Sequence, residues 1–586
     1  MRIIISSTYT NMNSGYLNHW ITKVPSQYYF SDLPLKIPQL VFRETDIRSI
    51  ITGITKLINE MSDEQLNIAH DIINIFDDQE LFTRRIYRDF THIDRGKGEA
   101  LFGILCEELF YLQYHLARNI EPRKLLLIQK IIDSKFIIIE NESEHKLLKT
   151  YINTNRLTWE KYDLVRNSTP AKIRKLIEKY FTREKELNDY IVCTNEFIKI
   201  VELNMDDIKQ SYTMYLDPTK YNYDYKKILI DFFYLIVVQY AYDINHYYYI
   251  HNHGEEKQDL LYNGMDLFEE INKYVTNNYL SCHLDIKVNV VYFKLMLCGE
   301  IDFIERYHSL NTENIVEIKC TKEISIKYYI QLLLYNFCYY YQQNKKEKLF
   351  NNKFKIVNLL TGLEHHIFMN ISPTNMFNLL ISLANVGNLK FNNLNLVYDL
   401  ETTDMLKFIG PYNYKPFIPR TIISQRNSKY YGKTYPEIIE ISIKDYDTGM
   451  ILLDTMVKPI GSINSDVQEL TGIKPLMVIN KPNIDTIRLV LKKKMEDFSN
   501  CKMMAHNGNR FDNDIILYEK LIDPQKISFL DTLSIIPIHL PSNIKLESKS
   551  LGKIYFKLFG KNFNAHRAMS DVDALIEIMR YLNIEF

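Results

Sequence analysis

The amino-acid sequence predicts a multidomain α/β protein: a helical N-terminal region, a central α/β core, and a C-terminal α/β fold built on a mixed sheet. Three observations carry that prediction. The chain has 586 residues, too many for a single hydrophobic core, which stops growing at about 250–300 residues. Apolar residues recur at three and four through much of the first part, the helical period. Two later stretches alternate period-two segments with helical ones, as α/β units do.

Taken in order, residues from about Glu44 to Ile200 read as helical, for example Leu66 to Phe76 and Lys97 to Leu116, and residues 1–220 form a mainly helical region that names no chemistry. Ile228 to Tyr248 reads as a buried helix, and its Asp and Gln residues make it a poor membrane span. From Gly264 a helix leads into a strand over Asp285–Leu297 and a hairpin returning through Ile315–Lys319. A helix over Ile326–Gln343 and a strand at Phe354–Leu360 follow, so residues 221–388 make a second unit. Asn385 to Asn393 is polar, contains Gly387, and reads as the linker into a third unit, residues 393–586. That unit opens on a strand starting at Leu394, with Tyr435–Asp445 and Thr448–Pro459 as its hairpin partners. A short apolar strand before His506, a helix over Asn513–Leu521 and a last helix from Asp571 complete it.

Composition bounds the class. Hydrophobic residues make up 46% and charged residues 24%, a globular balance. A formal net charge of −1 supplies no global basic field, so any nucleic-acid surface must be a local gathering of Lys and Arg. The seven cysteines are odd in number and form no CxxC pair, which predicts free thiols in a reducing compartment and no iron–sulfur cluster. The apolar run at Ile3–Ile5 is too short for a signal peptide, and nothing approaches the ~20 apolar residues of a membrane span. The expectation is a soluble intracellular protein of cytoplasm or nucleus, with no membrane partner. Heavy use of Ile, Asn, Lys and Tyr, with two Trp against 43 Tyr, is what an AT-rich genome writes, and a large DNA virus is one such source. For a viral chain the compartment is the host cell.

The strongest chemical signal lies near the C-terminus. Val397-Tyr-Asp399-Leu-Glu401-Thr-Thr places two carboxylates two apart on a strand, so both face one side. Ala505-His506-Asn507-Gly-Asn-Arg-Phe511-Asp512 adds a carboxylate at a helix start, and Ala565-His566-Arg-Ala-Met-Ser-Asp571 adds another, with a histidine on the preceding loop. Four carboxylates suit two hard divalent cations about 3.5–4 Å apart, and a neutral histidine suits a general base. These segments, with Asp531-Thr-Leu and Ser550-Leu-Gly between them, resemble the DEDDh branch of the DnaQ-like 3′-5′ exonucleases, whose fold is RNase H-like. The resemblance covers roughly residues 393–586. It implies that Asp399, Glu401, Asp512 and Asp571 hold two Mg²⁺ or Mn²⁺ ions. His566 would deprotonate the attacking water, and Thr402, His506, Asn507 and Phe511 would contact substrate. An insertion after Glu401 carries Lys407, Arg420, Arg426, Lys429 and Lys433, candidates for phosphate contacts or for a solvated loop.

A second constellation stands upstream. Cys298-Gly-Glu-Ile-Asp302-Phe-Ile is followed by Ile315-Val-Glu317-Ile-Lys319, so Glu317 and Lys319 share a face next to Asp302 across the hairpin. Gln331 and Tyr335 then share a helical face at i,i+4. The set resembles a PD-(D/E)XK nuclease of the RecB-like kind over roughly residues 264–366. That resemblance implies one or two Mg²⁺ or Mn²⁺ ions on Asp302 and Glu317, with Lys319, Gln331 and Tyr335 completing the catalytic set. The carboxylate such nucleases draw from an earlier helix has Glu269 and Glu270 as candidates here, with Phe268 and Asn272 departing from the usual pattern. Glu99 in Arg95-Gly-Lys-Gly-Glu99-Ala is the alternative.

His251, His253, His365 and His366 lack cysteine or carboxylate partners for a metal and read as solvent or structural. Tyr339–Tyr341 reads as a buried helix face before it reads as a base-stacking surface. No P-loop is present, so a motor would come from a helicase or another replication or repair partner. The whole predicts a two-nuclease protein acting on nucleic acid, DNA favoured over RNA, in repair, recombination or replication. An RNA 3′-5′ exonuclease with an inactive central domain and a non-catalytic nucleic-acid scaffold are the alternatives.

Overall fold

Two sheets organise the chain, and each contains a parallel crossing that an intervening helix must bridge. The computed structural model describes residues 52–584 apart from 73, 77–82, 94–98, 119, 121, 123–124, 156–161, 163–165, 167–168, 182–189, 218–224, 245–254, 308–311, 405–435, 497 and 543. The basic insertion Lys407 to Lys433 and the pair His251 and His253 lie outside the described residues.

The first sheet has eight strands among the described residues: β1 (Thr52–Gly53), β2 (Asn74–Phe76), β3 (Thr83–Arg85), β4 (His283–Tyr292), β5 (Leu297–Tyr307), β6 (Thr312–Lys319), β7 (Asn351–Asn358) and β8 (Leu363–Asn370). Their order is β1-β5-β6-β7-β8-β2, with β4 also on β5 and β3 also on β8. β4, β5 and β6 form an antiparallel meander, whereas β6 and β7 are parallel. Parallel neighbours need a crossover of a dozen residues or more. Helix Ile326–Gln342 supplies it, started by Ser325, whose hydroxyl accepts from the Lys327 N–H at 3.3 Å. Its residues from Ile330 to Tyr340 are all buried, as in a helix enclosed on every side.

β1, β2 and β3 come from before residue 220 yet pair into this sheet, so the division expected there is crossed by three sets of ladder bonds. The helix expected over Leu66 to Phe76 stops at Ile72, because Asn74–Phe76 pairs with Asn370–Phe368 on the free edge of β8. Tertiary pairing overrides local helical period there. Helix Glu99–Ala117, here α1, and helix Glu255–Asn278, α2, pack against each other, and α1 also touches β6.

The second sheet has five strands among the described residues: β9 (Asn395–Thr402), β10 (Ile438–Asp445), β11 (Ile451–Met456), β12 (Cys501–Ala505) and β13 (Ile527–Asp531). Its order β11-β10-β9-β12-β13 joins an antiparallel half to a parallel half, the mixed RNase H-like arrangement expected. Helices α3 (Asp512–Tyr518) and α4 (Ala568–Tyr581) follow β12 and close the chain.

The segment expected as a polar linker is a packed joint. Helix Pro373–Gly387 runs into it, and Phe391 is fully buried, stacked on Phe377 at 5.5 Å and edge-on to Phe498 at 5.5 Å. One hydrophobic cluster consequently contains Leu297 and Leu333 from the first unit and Leu396 and Ile441 from the second. All seven cysteines are free thiols. Among the described residues no helix is long and apolar enough to cross a membrane.

Candidate active sites

The parallel strands β9, β12 and β13 end side by side, and their carboxyl ends open a cleft of about 1000 Å³. Crevices beyond such ends are where open α/β sheets bind ligands. β9 pairs with β12 only as far as Val397, so Asp399 and Glu401 extend past that neighbour into the cleft. Asp399, Glu401 and Asp571 bring one oxygen each within 4.8 Å of one another. Asp512, the first residue of α3, lines the same cleft, as do Thr402, His506, Asn507, Phe511 and His566.

Crowding perturbs every one of these carboxyls. Burial, then the charges of Asp512, Asp571 and Glu401, hold Asp399 well above the usual carboxylate range. Burial first, then Asp571 and Glu440, pushes Glu401 up to about 8, and burial pushes Asp512 up to about 8. Asp571 is raised by burial against the pull of two N–H donors, His566 at 2.8 Å and Arg567 at 3.1 Å on its Oδ2. Oxygen-only donors that repel one another this closely fit divalent cations, which would remove the repulsion.

Two further side chains, which no motif in the sequence marks, shape this site. Glu440 on β10 stands directly opposite Glu401, a like-charge cross-strand pair. Arg567 answers it: its Nε lies 3.1 Å and its Nη2 2.7 Å from the two Glu440 oxygens, and the Ala568 N–H adds a bond at 2.9 Å. The residue just before this clamp is His566, exposed and in the left-handed region with φ of 66°. Glu440 lay in a strand read for its alternation, and Arg567 in a motif read for its histidine and aspartate. His506 is held below its ordinary pKa by burial and spends both ring nitrogens internally, Nε2 lying 2.7 Å from the Lys549 carbonyl oxygen and Nδ1 3.1 Å from the Thr532 hydroxyl, which itself donates to the Ala505 carbonyl. It lines the cleft with its ring.

The second constellation is assembled where the β5–β6 ladder opens, at the end away from the hairpin connection. The β5–β6 ladder stops at Phe303↔Val316, and the Ile318 N–H is taken by Asp302 Oδ2 at 2.8 Å. Asp302 is thereby fixed beside Glu317. Lys319 Nζ lies 2.6 Å and Gln331 Nε2 2.9 Å from Glu317 Oε1, and Gln331 also reaches the Tyr335 hydroxyl at 2.9 Å. Thr55 bonds the same hydroxyl at 3.0 Å. Gly299 makes room for this helix, since a Cβ there would overlap the Tyr335 ring. Glu317 Oε2 is buried and has no hydrogen-bond partner among the described residues.

Neither carboxylate candidate on α2 reaches this cluster. Glu269 is exposed and Glu270 pairs with Lys273 at 2.8 Å. Glu107 on α1, two turns beyond Glu99, reaches the cluster instead: Lys287 Nζ bonds Glu107 Oε1 and lies 2.9 Å from Asp302 Oδ1. Burial, then Asp302, pushes Glu107 up to about 7 and Glu317 up to about 8. Although burial opposes it, Lys287 and then Lys319 keep Asp302 below its ordinary value.

Residues 396–579 match the exonuclease family RNase T. Over 321 residues the chain is 53% identical to an exonuclease of Acanthamoeba polyphaga mimivirus, covering 55% of this chain and 100% of that protein. Over 243 residues it is 52% identical to a protein of the same virus named as an ATP-dependent DNA helicase, covering 42% of this chain but 34% of that protein. Among solved structures, E. coli exonuclease I in complex with single-stranded DNA aligns at 17% identity and a TM-score of 0.24, over 32% of this chain and 40% of that one.

Proposed function

The chain belongs to the exonuclease family, and from that premise we propose that its C-terminal unit is a DEDDh 3′-5′ exonuclease acting on DNA and releasing nucleoside 5′-monophosphates. The observation that carries this reading is the convergence of Asp399, Glu401 and Asp571 oxygens within 4.8 Å, in a cleft shared with Asp512 and His566. Two Mg²⁺ or Mn²⁺ ions held by the four carboxylates would acidify the attacking water and neutralise charge at the leaving oxygen. The His566 imidazole, on a loop anchored through Asp571 and Glu440, would accept the proton of the attacking water. Thr402, Asn507 and Phe511 line the path of the terminal nucleotide.

The test is Mg²⁺- and Mn²⁺-dependent degradation of 5′-labelled single- and double-stranded DNA and RNA. Wild type should give a ladder shortening from the 3′ end that Asp399→Ala abolishes, while His566→Ala slows it by about 10²–10⁴-fold. A ladder unaffected by Asp399→Ala sinks the assignment. Cleavage confined to ribo-oligonucleotides replaces DNA with RNA as the substrate.

A specific arrangement also favours a second, PD-(D/E)XK RecB-like centre in the central unit. The meander β4–β5–β6, the helix after it and the parallel strand β7 gather Asp302, Glu317 and Lys319 with Gln331 and Tyr335, and α1 adds Glu107. The unpartnered Glu317 Oε2 beside Asp302 fits a divalent cation, which would polarise the scissile phosphate, and Lys319 would orient the attacking water. Glu107, in place of Glu269 or Glu270, would be the helix-borne carboxylate. Cleavage that survives in Asp399→Ala should therefore vanish on adding Glu107→Gln or Glu317→Ala and persist on adding Glu270→Gln. Loss with Glu270→Gln but not Glu107→Gln would reverse the two roles. The 52% identity to part of a protein named as a DNA helicase supports DNA as the polymer and a motor working beside this chain.

A further inference from the structure

Lys287 occupies an unusual place for a strand residue. Register puts it opposite Asp302, between the pairs Ile286↔Phe303 and Val288↔Ile301. The ladder is interrupted at that one position, where Lys287 adopts φ of 55°, a left-handed conformation that is unfavourable for a non-glycine residue. The strand pair turns over there. Leu284 and Phe303 pack in one core cluster while Val288 and Ile301 pack in another, although even spacing would set Leu284 and Val288 on one face of an uninterrupted strand. The turn aims the ammonium inward, where it meets Glu107, Asp302 Oδ1 at 2.9 Å, Glu300 at 3.9 Å and the face of Tyr111 at 5.3 Å. On the far side of Asp302 the situation is the reverse, for Glu317 Oε2 is buried without a hydrogen-bond partner among the described residues. Four carboxylates, Glu107, Glu300, Asp302 and Glu317, and two ammonium groups, Lys287 and Lys319, leave the cluster two formal negative charges, with one side filled and one side open.

We propose that Lys287 is a resident cation of the central carboxylate cluster, holding Glu107 and Asp302 where a second divalent ion would otherwise sit, so that this centre binds a single divalent ion on the Asp302–Glu317 side. The proposal rests on the reading of the cluster as a metal centre. The strain of a left-handed lysine is offset here by its charge, which satisfies two carboxylates that would otherwise repel.

The test counts bound Mn²⁺ by electron paramagnetic resonance and calorimetry on the full chain, in an Asp399→Ala/Asp571→Ala background that disables the C-terminal cluster. One Mn²⁺ is expected at the central site, abolished by adding Glu317→Ala. Adding Lys287→Met or Lys287→Gln should raise the count to two, and Lys287→Arg should leave it at one. Circular dichroism selects whichever neutral variant folds. If a folded neutral variant still binds one Mn²⁺, the role of Lys287 is refuted while the metal-centre reading stands. If the background chain binds no ion, or one indifferent to Glu317→Ala, the metal-centre reading fails and the proposal with it.

Discussion

At Glu401 the cost of gathering carboxylates can be read on a single side chain. Its ordinary value is 4.5, and burial with neighbouring charge pushes it up to about 8. A carboxyl raised on folding binds its proton more tightly in the native state, so its favourable contribution is complete below about 4.5 and is lost as pH rises through about 8. Asp399 and Asp512 are shifted in the same direction. The metal-free protein should therefore lose stability across that window, and Glu401→Gln should melt higher than wild type in EDTA near pH 8, with the gap closing toward pH 4.5. With excess Mg²⁺ the order should reverse, because wild type alone keeps the full ligand set. Thermal melts at the two pH values, with and without Mg²⁺, decide it; equal melting temperatures in EDTA at pH 8 would contradict the shift. This residue was legible in the sequence, because a two-residue spacing on an apolar strand fixes its face. The proton linkage was not, since it depends on Asp571 and Glu440 arriving from other elements.

Elements join through contacts that spacing cannot reveal, and the His566 loop shows the consequence. α4 is tied to β10 by the Arg567–Glu440 pair, and the same turn is tied to Asp571 by two backbone N–H groups. Removing the guanidinium leaves Glu440 facing Glu401 unneutralised and frees the loop at one end. Arg567→Met should lower exonuclease turnover by about 10–100-fold, the usual cost of losing an outer partner of a metal site. Glu440→Gln/Arg567→Met, which removes both charges, should recover part of that loss, and steady-state kinetics on a labelled oligonucleotide with a kcat against KM split reads it. No change in kcat for Arg567→Met would make the pair structural only. The central cluster teaches the same lesson. Asp302, Glu317, Lys319, Gln331 and Tyr335 were legible because one hairpin and one helix carry them in sequence. Glu107 was not, because α1 meets β6 only by tertiary packing and the stretch between them leaves no periodic trace. Lys287 was hidden for another reason: Asp285, Lys287 and Asn289 alternate as a solvent face would, yet the strand turns over among them.

For the whole molecule, the joint between the two units is built on a buried ammonium. Lys294, in the turn between β4 and β5, is 6% exposed. It donates to the Asn393 carbonyl at 3.2 Å, pairs with Asp447, and lies 3.7 Å from the fully buried Asp445 at the end of β10. Lys346 of the first unit and Arg580 of the second both lie over the ring of Tyr446, the residue after Asp445, at 5.7 Å and 5.5 Å. A buried charge left without its partner destabilises by about 3–5 kcal/mol. Lys294→Met should therefore lower the urea midpoint followed by circular dichroism, and loss of the clasp across the shared hydrophobic cluster should split one transition into two. Lys294→Met/Asp445→Asn, which removes the stranded carboxylate with the lysine, should recover part of the loss. A single variant within about 0.5 kcal/mol of wild type, the range of an ordinary surface change, would mean that the aromatic stack of Phe377, Phe391 and Phe498 holds the two units together without the clasp.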